Sequence, residues 1–305
     1  MSFVRKNPAT TVHVHGLWSG LGWSVKALLK KQKNLRYIVS PHGMLAPEAL
    51  RRRKMVKRIM AGAWERSVLK NSQAVHCLTA VEEEHVMRFD KDLKTFVQPH
   101  VVDFPFSYQD IEEKWKLERK GRKSLLYIGR IHETKGLTKL VKYLSARAEE
   151  GDPVSFRLDI AGMGEPSEIA SLRKQIEEST AEITFLGPVF AEAKKNLMLG
   201  AHGIVLPSKT EGLPMSLIEG AAHGLPIFAT KECNLDWVEL ERAGLTAPYG
   251  RSGIARLVDE FDRLSTGALA VMGMRAATAA RGRYSSAIAS QQWRSIYAPH
   301  ALIDE

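Results

Sequence analysis

Short apolar, β-branched runs alternate along this chain with stretches in which apolar residues recur every three or four positions. Val12–His15, Arg36–Ser40, Ala74–Thr79 and Thr95–Gln98 read as strands, with helices near residues 20–32, 54–70 and 80–90 between them. From Pro99 to about Lys123, Pro, Asp, Glu and Lys dominate without an apolar period, which predicts an interdomain linker. Alternation then resumes at Ser124–Ile128, Phe156–Ile160, Ile183–Phe185, Gly203–Leu206 and Ile227–Ala229, each followed by a helical stretch, and the Ala- and Arg-rich C-terminus reads as helix throughout. Repeated βα units imply parallel sheets covered by helices on both faces. The expected architecture is therefore α/β. It divides into residues 1–110, residues 111–283 and a closing helical segment at 284–305 that crosses back to the first domain.

Composition supports two folded domains and narrows the setting. The 305 residues are 44% hydrophobic and 26% charged, which excludes a disordered or collagen-like chain. Two cysteines, Cys77 and Cys233, can build neither a disulfide framework nor a four-cysteine zinc site, so a reducing, cytoplasmic setting is expected. The N-terminus lacks the apolar core of a signal peptide, and no apolar run approaches the ~18 residues of a membrane span. The formal charge of +10 leaves three classes of partner: nucleic acid, an anionic membrane surface, or phosphate-bearing substrates.

In open parallel sheets, ligands collect at the carboxyl ends of strands, where loops meet helix N-termini. Gly129-Arg130 follows the strand ending at Ile128, and Lys135-Gly136 opens the next helix. A glycine there lets backbone approach a ligand, and two cations beside a helix start suit a diphosphate; a solvated loop with surface cations is the plainer reading. The segment from Pro207 to Pro226 is more specific. Glu211-Gly212 closes a loop after the strand ending at Leu206, Pro214 suits the first helical turn, and Glu219 lies one to two turns inside the helix. Two acids flanking an amide-rich helix start suit an elongated ligand with hydroxyls at its ends and negative charge between them. For Glu219 the competing reading is a helix-surface ion pair. Gly162-Met163-Gly164 lacks the third glycine of a dinucleotide fingerprint and reads as a turn edging the same crevice. Ser40-Pro-His42-Gly-Met-Leu45 offers His42 on a tight loop, either to a substrate hydroxyl or phosphate or as a structural histidine. His13, His15, His76 and His85 read as structural, and Asp90-Lys91-Asp92 reads as surface charge rather than a metal motif.

The series Val12-His-Val-His-Gly-Leu-Trp18, Ser40-Pro-His-Gly-Met-Leu45, Leu125-Leu-Tyr-Ile-Gly-Arg-Ile-His132, Lys135-Gly136, Ile160-Ala-Gly-Met-Gly164, Phe185-Leu-Gly187 and Glu211-x7-Glu219 resembles the retaining, nucleotide-sugar-dependent glycosyltransferases of family four, in their order. The resemblance implies a GT-B fold: two Rossmann-like parallel-sheet domains facing a cleft, the first lacking the family's N-terminal units and left with about four strands. It implies that Arg130 and Lys135 hold the donor diphosphate and that Glu219 binds the ribose hydroxyls. Glu211 would face the donor sugar, and His42 would approach that sugar from the first domain. Gly129, Gly162, Gly212, Leu213, Pro214 and Met215 would line the donor site, with Gly187 and Val189 bordering the base. It also implies no metal and no cofactor, cations and helix amides doing that work, and front-face transfer with retention. Pro99-His-Val-Val-Asp103 departs from the family's Pro-Asn-Gly stretch.

The segment Arg51, Arg52, Arg53, Lys54, Lys57 and Arg58 puts six cations into eight residues ahead of apolar Met55, Ile59, Met60, Ala63, Trp64 and Val68 at helical spacing. A basic amphipathic helix with a tryptophan suits an interfacial membrane contact and a lipid-linked acceptor; a core-facing helix with a solvated basic face is the alternative. No recognition motif accompanies the charge, so nucleic acid is not expected as a partner. The expected function is sugar transfer from a nucleotide-sugar to a glycan or lipid-linked hydroxyl in polysaccharide or glycolipid assembly, peripheral to the inner face of the cytoplasmic membrane. The competing reading is a nucleotide-sugar-binding fragment with little or no activity.

Overall fold

The most apolar of the Val-, Ile- and Leu-rich runs form strands buried on both faces, as central parallel strands under crossover helices are, while the runs at the sheet edges stay partly exposed. The computed structural model describes residues 11–32, 35–116 and 122–297. Packing sorts the chain into two units, Met1–His100 with Ala287–Glu305, and Val101–Ser286. Each is built on its own parallel sheet.

In the first unit, β1 (Thr11–His15), β2 (Arg36–Ser40), β3 (Ala74–Cys77) and β4 (Thr95–Val97) lie side by side in chain order, all parallel. Among the described strands β1 is an edge. Its core residue is Val14, while β2 and β3 are buried almost throughout. Helix α1 (Gly20–Lys31) starts at Ser19, whose hydroxyl accepts from Leu21 N, and α2 (Pro47–Arg51) starts on a proline.

The segment predicted as one helix over 54–70 consists of α3 (Lys54–Met60), a π turn (Ala61–Glu65) and α4 (Arg66–Lys70). A π turn inserts about one extra residue, so the faces before and after it are offset by ~100°. Val68 and Leu69 of α4 are therefore buried, whereas α3 buries nothing. The expectation that the apolar residues of this segment form one stripe is corrected by that offset. Helix α5 (Ala80–Phe89), capped by Thr79, precedes β4.

The second unit begins with a second correction. Tyr108–Lys116, inside the stretch read as a linker, forms helix α6. Ile111 is buried, the Lys114 ammonium donates to Met198 O and His223 O (3.1 and 2.8 Å), and Trp115 Nε1 donates to Gly224 O at 3.1 Å. The apolar period is present, but it consists of only Ile111 and Trp115 four residues apart.

The sheet that follows comprises β5 (Lys123–Ile128), β6 (Phe156–Ala161), β7 (Ile183–Gly187), β8 (Gly203–Leu206), β9 (Ile227–Thr230) and β10 (Gly244–Ala247). Their order across the sheet is β10-β9-β8-β5-β6-β7, all parallel. Strand β10 escapes the sequence pattern because it is four residues long with a single large apolar side chain, Leu245. The helices between the strands are α7 (Leu137–Glu149), α8 (Pro166–Glu177), α9 (Ala191–Gly200), α10 (Met215–Ala222), α11 (Trp237–Leu240) and α12 (Arg251–Arg263). Helix α12 shows the logic: Ile254, Leu257, Val258 and Phe261 fall on one face and are all buried, worth about 1.5–3 kcal/mol each. Phe261 sits edge-to-face between Phe156 and Phe228, at 4.8 and 5.2 Å. Helix α13 (Thr266–Tyr284) closes this unit, and α14 (Ser286–Tyr297) belongs to the first, where Trp293 packs on His76 and Phe96.

Candidate active site

The chain runs outward from β5 through β6 to β7, then returns to the other side of β5 as β8. That reversal opens a crevice at the carboxyl ends of β5 and β8. The loop after β5 carries Gly129, Arg130 and Lys135, and the loop after β8 carries Ser208, Glu211 and Pro214.

The two loops are locked together. Lys209 N donates to Thr134 O at 2.7 Å. Gly136 adopts φ +70°, and a Cβ there would lie 1.9 Å from Pro207 O, so only glycine fits. Gly162 is held as closely: a Cβ would stand 1.9 Å from Gly129 O, and its N–H donates to Gly187 O at 2.8 Å. The turn Gly162–Gly164 thus edges the crevice as expected, with Ile131 bridging Gly164.

Lys135 and Glu211 meet here. The Lys135 ammonium lies 2.6 and 2.8 Å from the two Glu211 carboxylate oxygens, and the Ser208 hydroxyl donates to Oε1 at 2.5 Å. The main chain of Glu211 is held as well: its N–H donates to Glu232 O at 3.0 Å and its carbonyl accepts from Asn234 Nδ2 at 2.8 Å. Thr230 Oγ1 donates to Ser208 O at 2.5 Å and fixes the start of the loop. Arg130 is exposed and forms no ion pair among the described residues. The pair Lys135–Glu211 is electrically neutral, whereas the charge of Arg130 has no ion-pair partner among the described residues.

Glu219 makes the surface ion pair that competed with its functional reading: its Oε2 lies 2.5 Å from Lys194 Nζ of α9, with both side chains under one third exposed. A carboxylate has about four acceptor positions, so one ammonium leaves Glu219 able to accept hydroxyls. Its neighbours Leu217, Ile218, Ala221 and Ala222 are buried. Pro214 stands one place before its predicted position, capping α10 rather than opening it, and its carbonyl accepts from Leu217 N and Ile218 N. Met215 N is already spent on Leu213 O at 3.0 Å, which removes one of the amides expected to face a ligand. Gly212 is exposed and Leu213 half-buried. Gly187 is buried with φ +74°, and Val189 is half-buried before α9.

The first unit holds a second cluster, which the sequence reading assigned only to His42. Alternation along β1 puts His13 and His15 on one face, and both join it. His15 Nδ1 and His42 Nε2 lie 2.8 Å apart, and the ring of His42 also stacks toward His100 at 5.7 Å. His42 has φ +51°, a left-handed conformation that costs a non-glycine residue about 1–2 kcal/mol. Glu82, a buried carboxylate not singled out from the sequence, holds this loop: it accepts from Gly43 N at 2.5 Å and from Leu78 N at 2.7 Å.

Behind the pair runs a hydrogen-bonded chain whose direction follows from chemistry. His76 Nε2 lies 2.6 Å from Gln98 O, which only accepts, so Nε2 carries the proton. In the neutral ring His76 Nδ1 then accepts from Ser40 Oγ at 2.7 Å. Ser40 Oγ accepts from His13 Nε2 at 2.7 Å, and His13 Nδ1 accepts from Tyr297 at 3.1 Å. Burial favours the neutral rings. It lowers His13 to about 4, helped by His15, His76 and His42, and it lowers His42, His76 and His100 as well.

The remaining candidates lie in the first unit. Arg51, Arg52, Arg53, Lys54 and Arg58 are exposed, Lys57 donates to Ala49 O, and Trp64 is half-buried. Asp90 pairs with Lys70 and Arg66 at 3.2 and 3.8 Å, so its carboxylate serves the fold.

Residues 122–266 match the family model described as "Glycosyl transferases group 1", and residues 2–93 match "Glycosyl transferase 4-like domain". The chain is 30% identical over 162 residues to the putative colanic acid biosynthesis glycosyltransferase WcaL of Escherichia coli, covering 50% of this chain and 39% of that protein. It is 32% identical over 183 residues to the glycogen synthase of Thermus thermophilus, covering 58% of this chain and 40% of that one. The chain thus spans about two fifths of the length of these curated relatives. Sucrose-phosphate synthase from Thermosynechococcus elongatus superposes with a TM-score of 0.77 at 20% identity, over 97% of this chain and 75% of that one. Anabaena HepE in complex with UDP-glucose gives 0.73 at 18%, over 95% and 79%. The fold is GT-B, two parallel-sheet α/β domains, and the matches together support a glycosyltransferase.

Proposed function

We propose that this chain moves a sugar from a nucleotide-sugar donor to a hydroxyl of a glycan or lipid-linked acceptor, with retention of configuration, in polysaccharide or glycolipid assembly. The observation that carries the reading is the Lys135–Glu211 pair, held by Ser208 at the β5/β8 crevice beside Arg130. A donor diphosphate competes with Glu211 for Lys135. When it binds, the ammonium turns to the phosphate and the Glu211 carboxylate is released to accept sugar hydroxyls. Arg130 adds bidentate donors to the same diphosphate, and Glu219 accepts the ribose hydroxyls.

In the transfer step the bond from the anomeric carbon to the diphosphate oxygen breaks, and the acceptor oxygen bonds to that carbon from the same face. The acceptor's proton passes to the departing phosphate oxygen, so the products are the glycoside and a nucleoside diphosphate. Arg130 and Lys135 stabilise the charge that develops on the leaving group, and no step in this scheme calls on a metal. His42, whose pKa burial lowers, offers a neutral ring to a hydroxyl, with His15 2.8 Å beside it. HepE, solved with UDP-glucose, supports a UDP-sugar as the first donor to try.

The test is a panel of UDP-, GDP- and ADP-sugars, read by donor binding and by nucleoside diphosphate release with and without EDTA. The expected result is saturable donor binding, EDTA-insensitive turnover and a product whose anomeric NMR coupling matches the donor's. Inverted stereochemistry would refute the mechanism, and donor binding without any turnover would favour the binding-fragment reading.

A further inference from the structure

We infer that the face formed by α3 and the first turn of α1 seats on an anionic lipid surface. The charge of this protein is lopsided. Residues 1–64 hold thirteen Lys and Arg against one acid, Glu48, a formal +12, so residues 65–305 sum to −2. The whole basic excess thus belongs to the first 64 residues, and its densest part is exposed on α2 and α3.

Charge alone suits any polyanion; the apolar residues decide. Met55 is 70% exposed, Ile59 68% and Val56 52%, on a helix that buries none of its side chains. Trp23 and Leu21, at the start of α1, are 62% and 56% exposed. The two elements meet through the π turn that follows α3 and through Trp18 just ahead of α1. Gly22 faces Trp64 so closely that a Cβ would stand 2.8 Å from its ring, Lys26 donates to Ala63 O, and Lys57 lies over the Trp18 ring at 5.8 Å.

Flexible aliphatic side chains beside a tryptophan and ringed by guanidinium groups match the boundary between lipid headgroups and acyl chains. Nucleic acid would be better served by aromatic stacking platforms, and a second copy of this face would bring like charges together. The inference does not depend on the transferase reading.

The test is co-sedimentation of the full chain with phosphatidylcholine vesicles carrying increasing phosphatidylglycerol, at two salt concentrations. The bound fraction is expected to rise with phosphatidylglycerol and fall with salt. The variant R51E/R53E/R58E should lower partitioning at least tenfold. M55S/I59S should lower it several-fold while leaving the salt dependence in place. Circular dichroism and thermal midpoints, which should stay near wild type at these exposed sites, separate lost contact from lost fold. Equal uptake by neutral and anionic vesicles, or no uptake, would overturn the inference. So would single-stranded DNA binding that M55S/I59S leaves unchanged in a protein that ignores vesicles, or self-association abolished by M55S/I59S.

Discussion

The two candidate sites occupy the same place in their respective sheets, the carboxyl ends of parallel strands, yet they are built from opposite chemistry. The second unit uses matched full charges, Lys135 with Glu211 on loops held by backbone hydrogen bonds and Lys194 with Glu219 between two helices. The first unit gathers His13, His15, His42, His76 and His100 and keeps four of them less basic than free histidine by burial. Charged pairs can be exchanged for an anionic ligand at little net cost, because one ionic partner replaces another. Neutral rings bring no charge to attract a diphosphate, but they orient hydroxyls by hydrogen bonds without the desolvation cost of a buried charge. Under the proposed function, the charged crevice of the second unit would take phosphate and the histidine cluster of the first would take hydroxyls.

The largest effect that would break this contrast lies at the partly buried ion pair of Lys135 and Glu211. Lys135→Met should reduce sugar transfer by about 100-fold or more, the scale of losing a transition-state charge donor, and should weaken donor binding with it. If transfer is unaffected, the pair is only a brace between loops. Next comes Glu82→Gln, which removes the charged acceptor for Gly43 N and Leu78 N. Strained His42 should lose its position, with stability falling by about 1–3 kcal/mol in urea titration and kcat falling more than the donor KM rises.

A third expectation concerns pH. Between 6.5 and about 4, the unfolded chain protonates His13 while the folded chain refuses the proton. Stability therefore falls as pH drops through that window. The thermal midpoint should decline by several degrees from pH 7 to pH 5, and His13→Asn should flatten part of that slope. The smallest effect belongs to Lys194→Met. Its ion pair with Glu219 is partly solvated, so stability should change by less than ~1 kcal/mol, while donor KM shifts a few-fold. A loss as deep as that of Lys135→Met would mean that the two pairs act alike.

Much of the fold was legible in the sequence because parallel strands buried on both faces must be apolar runs. Nine of the ten strands coincide with such runs, and β10, with Leu245 as its single large apolar residue, is the one that does not register. The candidate residues stood out for a related reason: loops after buried strands carry few residues, which singles out Arg130, Lys135 and Glu211, with Glu219 in the helix that follows. Three things were not. The period of α6 is too short to distinguish from the charged residues around it. The π turn at Ala61–Glu65 has no signature in spacing, yet it decides that Met55 and Ile59 face solvent. The partners of the candidate residues come from distant segments: Lys194 lies 25 residues before Glu219, and Lys135 lies 76 before Glu211.

By itself, then, the sequence determined the class of the fold, the order of its elements and the residue types at the strand ends, since those follow from local burial and backbone conformation. The tertiary structure alone decided which charges meet. Ion pairs and imidazole chains form between residues far apart in the chain, and their protonation is set by burial that no local pattern encodes. His15 shows this most plainly: its position on β1 is a matter of alternation, but its partnership with His42 exists only because β1 and β2 lie in register, His15 opposite Ser40.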